Sequence, residues 1–139
     1  FVVCEGIFRE YLVNMQRSLI FTTALPPINV AWTRFILNRM PEFFDLRMKL
    51  AAISGRLRGV LSQKGFVTRG SSHIVPMVCG SNESSMEMAE LLQDNGFFAL
   101  PVRYPTVPKN EARIRFSLNA SIPEEDYECL FEFLECLEE

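Results

Sequence analysis

The sequence is poor in the features that mark several common protein classes. Positive charge is not in excess, since 14 lysines and arginines stand against 17 aspartates and glutamates and leave a net charge of −3. That balance argues against a DNA- or RNA-binding role, because the phosphate backbone selects for a basic footprint. No long apolar run or secretory leader is present, so no membrane span is expected. The four cysteines, Cys4, Cys79, Cys129 and Cys136, are far apart or share one helical stretch and lack the paired spacing of a zinc site. No bound metal is expected, and reduced thiols in a cytoplasmic setting are. A glycine-rich phosphate loop, internal repeats and low-complexity linkers are all missing. The single histidine, His73, has no serine, cysteine or metal-ligand constellation around it.

What is present fits one globular unit: 139 residues, 48% hydrophobic and 22% charged. The opening Phe1-Val2-Val3-Cys4 reads as an apolar strand with no polar lead-in, which suggests a piece of a larger protein. Leu19 to Thr23 is β-branched and aromatic enough for a short strand or extended segment, and Pro26-Pro27 stops it and launches a helix over Ile28 to Met40. Glu42 to Lys64 carries Leu46, Leu50, Ile53, Leu57, Val60 and Leu61 at helical spacing, closed by Gly65.

From Ile74 onward the expected order is strand, helix, strand, strand, helix. Ile74 to Cys79 forms a strand in which Pro76 suggests an edge or entry position. A helix capped at Ser81 or Asn82 runs to Asn95, a strand follows over Phe97 to Arg103, and a capping box Ser121-Ile122-Pro123-Glu124 opens the last helix. The fold class is therefore α+β, a small, mostly antiparallel sheet with helices packed on one face.

Chemistry concentrates in Tyr104 to Ala120. Alternation puts Ile114, Phe116 and Leu118 on one side of a strand and Arg113, Arg115 and Ser117 on the other. The arginines suit a wet strand face paired to acids such as Glu111. With a specific partner, they also suit a clamp for a small carboxylate, which a guanidinium binds bidentately without losing its charge. Thr22 and Thr23 are either strand residues or hydroxyl donors to a phosphate. The acids Glu124, Glu125 and Asp126 are explained by a helix N-terminus.

Four short motifs, taken in order, resemble the α-oxoamine synthases: Arg17-Ser18-Leu19-Ile20-Phe21-Thr22-Thr23-Ala24-Leu25-Pro26-Pro27, Ser72-His73-Ile74-Val75-Pro76, Tyr104-Pro105-Thr106-Val107-Pro108 and Ala112-Arg113-Ile114-Arg115. The resemblance spans essentially the whole chain. It implies the C-terminal small domain of a fold type I pyridoxal-phosphate transferase, with residues 1–27 as the end of the large domain and 28–139 as the small domain. Such enzymes join an amino acid to an acyl-CoA or acyl-carrier thioester with loss of carbon dioxide, as homodimers. Arg115 matches the position that holds the amino-acid carboxylate. Thr106 lies in the loop that closes over the site, and Thr23, with Thr22 beside it, matches the position that reaches the cofactor phosphate of the neighbouring subunit. Arg113 matches no substrate position and is expected to be structural. Lys49, Lys64 and Lys109 fall outside the motif of the cofactor-binding lysine, so no catalytic residue is expected in this chain and no activity of it alone. A self-contained amino-acid sensor or an interaction domain is the contrasting class, and the Phe1 to Pro27 segment argues against the sensor.

Overall fold

The computed structural model describes residues 2–137. The chain divides into two compact units, Phe1–Pro41 and Glu42–Glu139.

The first unit is helical. Helix α1, Gly6–Met15, is followed directly by one turn of α2, Arg17–Ile20, and then by α3, Pro27–Arg39, which starts on a proline where no intrahelical N–H is needed. The strand expected over Leu19 to Thr23 does not form. With no strand among the described residues of this unit to pair with, the local bonds from Leu19 N–H and Ile20 N–H to the Gln16 carbonyl (2.9 and 3.1 Å) satisfy the backbone instead. Thr23 to Pro26 carries no regular secondary structure. Val2 to Cys4 is likewise not in a strand, and Phe1 lies outside the described residues. None of the three helices buries a residue, so Ile7, Phe8, Trp32 and their apolar neighbours stand open. Trp32 and Phe35 stack at 5.6 Å.

A 3-10 turn, Met40–Phe43, leads into α4, Phe44–Gln63, so the helix expected from Glu42 starts with a tighter turn. Helix α4 ends at Gly65, whose φ of 78° allows the Phe66 N–H to reach back to the Leu61 carbonyl at 2.9 Å. Then come β1, Ile74–Gly80, α5, Asn82–Asp94, β2, Pro101–Val102, β3, Ala112–Ser117, and α6, Glu124–Glu135. The sheet is antiparallel throughout, with β3 between β1 and β2. Pro76 sits in edge strand β1. The Val78 N–H points outward to Val67, so the missing N–H two residues earlier costs no bond to β3.

One face of the sheet is core. Val75 and Met77 pair with Phe116 and Ile114, and these four meet Leu57 and Leu61 of α4, Leu92 of α5 and Phe131 and Leu134 of α6. Each fully buried leucine of this set contributes roughly 1.5–3 kcal/mol by leaving water. The other face carries Arg113, Arg115 and Ser117, as the alternation predicts.

Two expectations fail here. The strand over Phe97 to Arg103 shrinks to Pro101–Val102 because the segment before it is tied to α5. The Phe97 N–H bonds to the Leu92 carbonyl (2.9 Å) and the Gln93 side chain donates to the Ala99 carbonyl (2.7 Å). The capping box is not made either. The N-cap of α6 is Pro123, which has no side-chain donor or acceptor, while the Ser121 N–H is taken by Asn119 Oδ1 at 3.0 Å.

Candidate functional site

Arg115 projects from the central strand, opposite Pro76, and its side chain is exposed. Among the described residues no carboxylate lies within 4.0 Å of its guanidinium. Its neighbour on the same face behaves differently. Arg113 donates from Nη2 to Glu111 Oε2 at 2.7 Å and from Nε to the Glu111 carbonyl at 2.8 Å, and Arg69 meets the same carboxylate at 3.3 Å. Of the two strand arginines, one is structurally neutralised and one is available to an anion.

A cavity of about 650 Å³ opens beside Arg115. The pairing of β2 with β3 covers only Val102–Arg113 and Pro101–Ile114, and next to it the cavity is lined by Phe98, Leu100 and Val102 together with Phe116 and Leu118. The opposite wall comes from Ile122 and the first turns of α6, including Asp126, Cys129 and Leu130. Both walls are braced. Gln93 holds the Ala99 carbonyl on one side, and on the other the buried Tyr127 hydroxyl donates to the Asn119 carbonyl and accepts from the Asn119 N–H, both at 2.9 Å.

Thr106 is exposed in the turn after Tyr104, its N–H bonded to the Arg103 carbonyl at 2.8 Å, and it does not line the cavity at Arg115. The loop around it is ordered from several sides. The Tyr104 N–H donates to Asn82 Oδ1 (3.1 Å), Lys109 lies 5.7 Å from the Tyr104 ring centre, and the Tyr104–Pro105 bond is cis.

Thr22 and Thr23 belong to the first unit and are exposed. The Thr22 hydroxyl donates to the Thr23 carbonyl at 3.1 Å, whereas among the described residues the Thr23 hydroxyl makes no hydrogen bond. Thr23 therefore has the free donor that a phosphate oxygen would need, and Thr22 keeps only lone pairs to offer unless it rotates.

The lysines have other roles. Lys64 Nζ donates to the Leu137 carbonyl at 2.7 Å, Lys109 covers Tyr104, and Lys49 lies on α4. His73 contributes its carbonyl to the Leu118 N–H at 3.0 Å. Among the described residues no group of three or more histidine, cysteine or acidic side chains is arranged to hold a metal, and no helix is long and apolar enough to cross a membrane. The cavity itself escaped sequence reasoning, because its walls come from three separate segments.

The class I and II aminotransferases match residues 1–134. The chain belongs to that family. It is 45% identical over 137 residues to 8-amino-7-oxononanoate synthase of Chlorobaculum parvum, covering 99% of this chain and 35% of that protein. The fold is shared with 8-amino-7-oxononanoate synthase of Francisella tularensis (TM-score 0.73, 23% identity, 94% of this chain and 38% of that one). It is also shared with serine palmitoyltransferase of S. paucimobilis with bound PLP–myriocin aldimine (TM-score 0.79, 23% identity, 96% and 34%). The chain thus spans about a third of the length of the relatives it matches. The resemblance read from the four motifs is upheld by these matches, as is the α+β class with helices on one face.

Proposed function

We propose that this chain is the C-terminal portion of a pyridoxal-phosphate-dependent α-oxoamine synthase, with residues 1–27 ending its large domain and residues 28–139 forming its small domain. The reaction joins an amino acid to an acyl thioester with loss of carbon dioxide. The identity to 8-amino-7-oxononanoate synthase favours L-alanine and a pimeloyl thioester, hence biotin synthesis. Glycine with a short acyl-CoA, as in glycine C-acetyltransferase (2-amino-3-ketobutyrate CoA ligase), is the competing pair.

The observation that carries this reading is Arg115, an uncompensated guanidinium on the central strand of a chain so similar to those enzymes. It binds the substrate carboxylate bidentately and holds the bonds at Cα in a fixed direction. Thr106, on its braced loop, closes over the substrate. Thr23, with Thr22 beside it, donates to the cofactor phosphate across a homodimer interface. Pyridoxal phosphate, when bound, supplies the electron sink for the pair left at Cα. The Schiff-base lysine is contributed from outside this chain, which is inactive alone, and the protein works in the cytoplasm.

The test is the visible absorbance of the purified full-length protein, of which this chain is the C-terminal portion, during titration with L-alanine, with and without Arg115→Ala. A cofactor band that shifts with alanine, and needs far more alanine in the variant, supports the reading. Absence of any such band, or an unchanged titration in the variant, refutes it.

A further inference from the structure

The peptide unit between Arg103 and Tyr104 is held on both sides. Its N–H, that of Tyr104, donates to Asn82 Oδ1 at 3.1 Å, and its carbonyl, that of Arg103, accepts from the Thr106 N–H at 2.8 Å and from the Val107 N–H at 3.2 Å. Asn82 therefore bonds the same peptide group onto which the turn at Thr106 closes. Hydrogen bonds strung through one peptide group polarise one another, so the two ends are coupled.

Helix α5 makes no use of the Asn82 side chain among the described residues. The N-cap is Ser81, whose Oγ accepts from the Ser84 N–H at 3.0 Å, and asparagine just inside a helix is a poorer helix former than alanine. The bond to Tyr104 reaches across 22 residues of sequence and ties the helix to the loop. One turn along the same helix face, Met86 Sδ accepts from Arg103 Nη1 at 3.1 Å. A thioether is a weak acceptor, so Asn82 supplies the stronger of the two ties.

We infer that Asn82 is a positioning residue, which fixes the peptide between Arg103 and Tyr104 and through it the turn that presents Thr106. The inference rests on the reading of Thr106 as the residue that closes over the substrate, and adds the group that sets it in place before the substrate arrives. An exposed turn that had to be ordered on binding would take its ordering cost out of substrate affinity, whereas a turn already held avoids most of that loss. Removing one such bond corresponds to a weakening of about threefold to tenfold.

The experiment is hydrogen exchange of the purified full-length protein, of which this chain is the C-terminal portion, read by mass over Arg103 to Lys109 for the parent, Asn82→Ala and Asn82→Asp. Pro105 and Pro108 carry no amide hydrogen, so the signal comes mainly from Tyr104, Thr106, Val107 and Lys109. Asn82→Ala removes the acceptor and is expected to speed exchange there about threefold to tenfold, while the α5 amides from Ser84 to Leu92 keep their rate. Asn82→Asp keeps an acceptor oxygen and stays at the parent rate. Turnover of L-alanine with pimeloyl-CoA by the cofactor-loaded protein gives the second readout. In Asn82→Ala the KM for at least one of the two substrates rises about threefold to tenfold with kcat little changed, and Asn82→Asp restores it. Unchanged exchange in Asn82→Ala, or exchange in Asn82→Asp as fast as in Asn82→Ala, overturns the inference. Faster exchange with both KM values unchanged overturns it as well, and Thr106→Val then tells why. A raised KM in Thr106→Val shows that Thr106 acts without help from Asn82, and an unchanged one shows that the reading of Thr106 has itself failed.

Discussion

The hydroxyl of Tyr127 and the backbone of Asn119 are bonded in both directions, the hydroxyl donating to the carbonyl and accepting from the N–H, each at 2.9 Å. Tyr127 is 4% exposed, so its oxygen has little access to water and depends on this one backbone unit. Removing it with Tyr127→Phe leaves two backbone groups to find other partners and is expected to cost about 1–3 kcal/mol. Thermal melting reads the loss. Hydrogen exchange should show it first at the amides of Asn119 to Ile122, the wall of the cavity, while α4 stays protected.

Arg56 and Glu128 join α4 to α6 through Nη1 and Nη2 of the guanidinium, which also lies over the Phe131 ring at 4.5 Å. The hydrogen bond to Glu128 holds the Arg56 proton more firmly than usual. The pair is exposed, so its charge component is open to screening while the ring contact is not. Glu128→Gln is therefore expected to lower the melting temperature slightly at low salt, with the gap from the parent closing as salt rises. Arg56→Ala should keep a deficit at high salt. Melting curves of both variants across a salt series decide between these, and a Glu128→Gln deficit that does not shrink with salt would contradict the assignment.

Much of the second unit was legible because its helices and strands are patterned by burial within one core. The three-and-four spacing of Ile53, Leu57, Val60 and Leu61 located α4, and the alternation from Ala112 to Ser117 separated core from cationic face. The first unit offered no such signal. Its helices bury nothing within the unit, so β propensity is the only signal in Leu19-Ile20-Phe21, and the chain there forms a helical turn over Arg17–Ile20 closed by local bonds. Phe97 to Leu100 misled for a related reason. Its composition suits a strand, but Leu92 and Gln93 hold its backbone groups. Arg115 was found because the strand period is local, whereas the cavity next to it joins segments that only the tertiary fold brings together.

Cys79 sits at the irregularity between Val78 and Gly80, its thiol donating to the Met77 carbonyl at 3.4 Å. Burial pushes its ionisation above the ordinary value of 9.0, and a backbone contact with Ile114 opposes this only in part. Iodoacetamide at neutral pH should therefore label Cys129 and Cys136, which are exposed, well before Cys79, as peptide mass analysis would show. The sign for stability follows from the raised folded value. Below pH 9.0 both states keep the proton and nothing is lost, while above it the unfolded thiol ionises first and pulls the equilibrium toward unfolding. Cys79→Ala should flatten the alkaline fall of the melting temperature, and an equally steep fall in the variant would refute the assignment.

The two arginines of β3 provide a separation of structure from binding within one strand. Arg113 is 18% exposed at its side chain and neutralises Glu111, so Arg113→Ala leaves a half-buried carboxylate with only the longer contact from Arg69. A loss of about 1–3 kcal/mol of stability is expected, with little effect on ligand affinity in the protein that still folds. Arg115→Ala should do the reverse. Its side chain is exposed and bonded to no acid, so stability is expected to stay within about 0.5 kcal/mol of the parent. Binding of an amino-acid carboxylate loses a charge-assisted contact and falls about tenfold to a hundredfold. Denaturant melts and ligand titrations on the two variants together test the division. If both variants lost stability and neither lost affinity, β3 would be a structural strand on both counts and the anion for Arg115 would have to be sought within the protein.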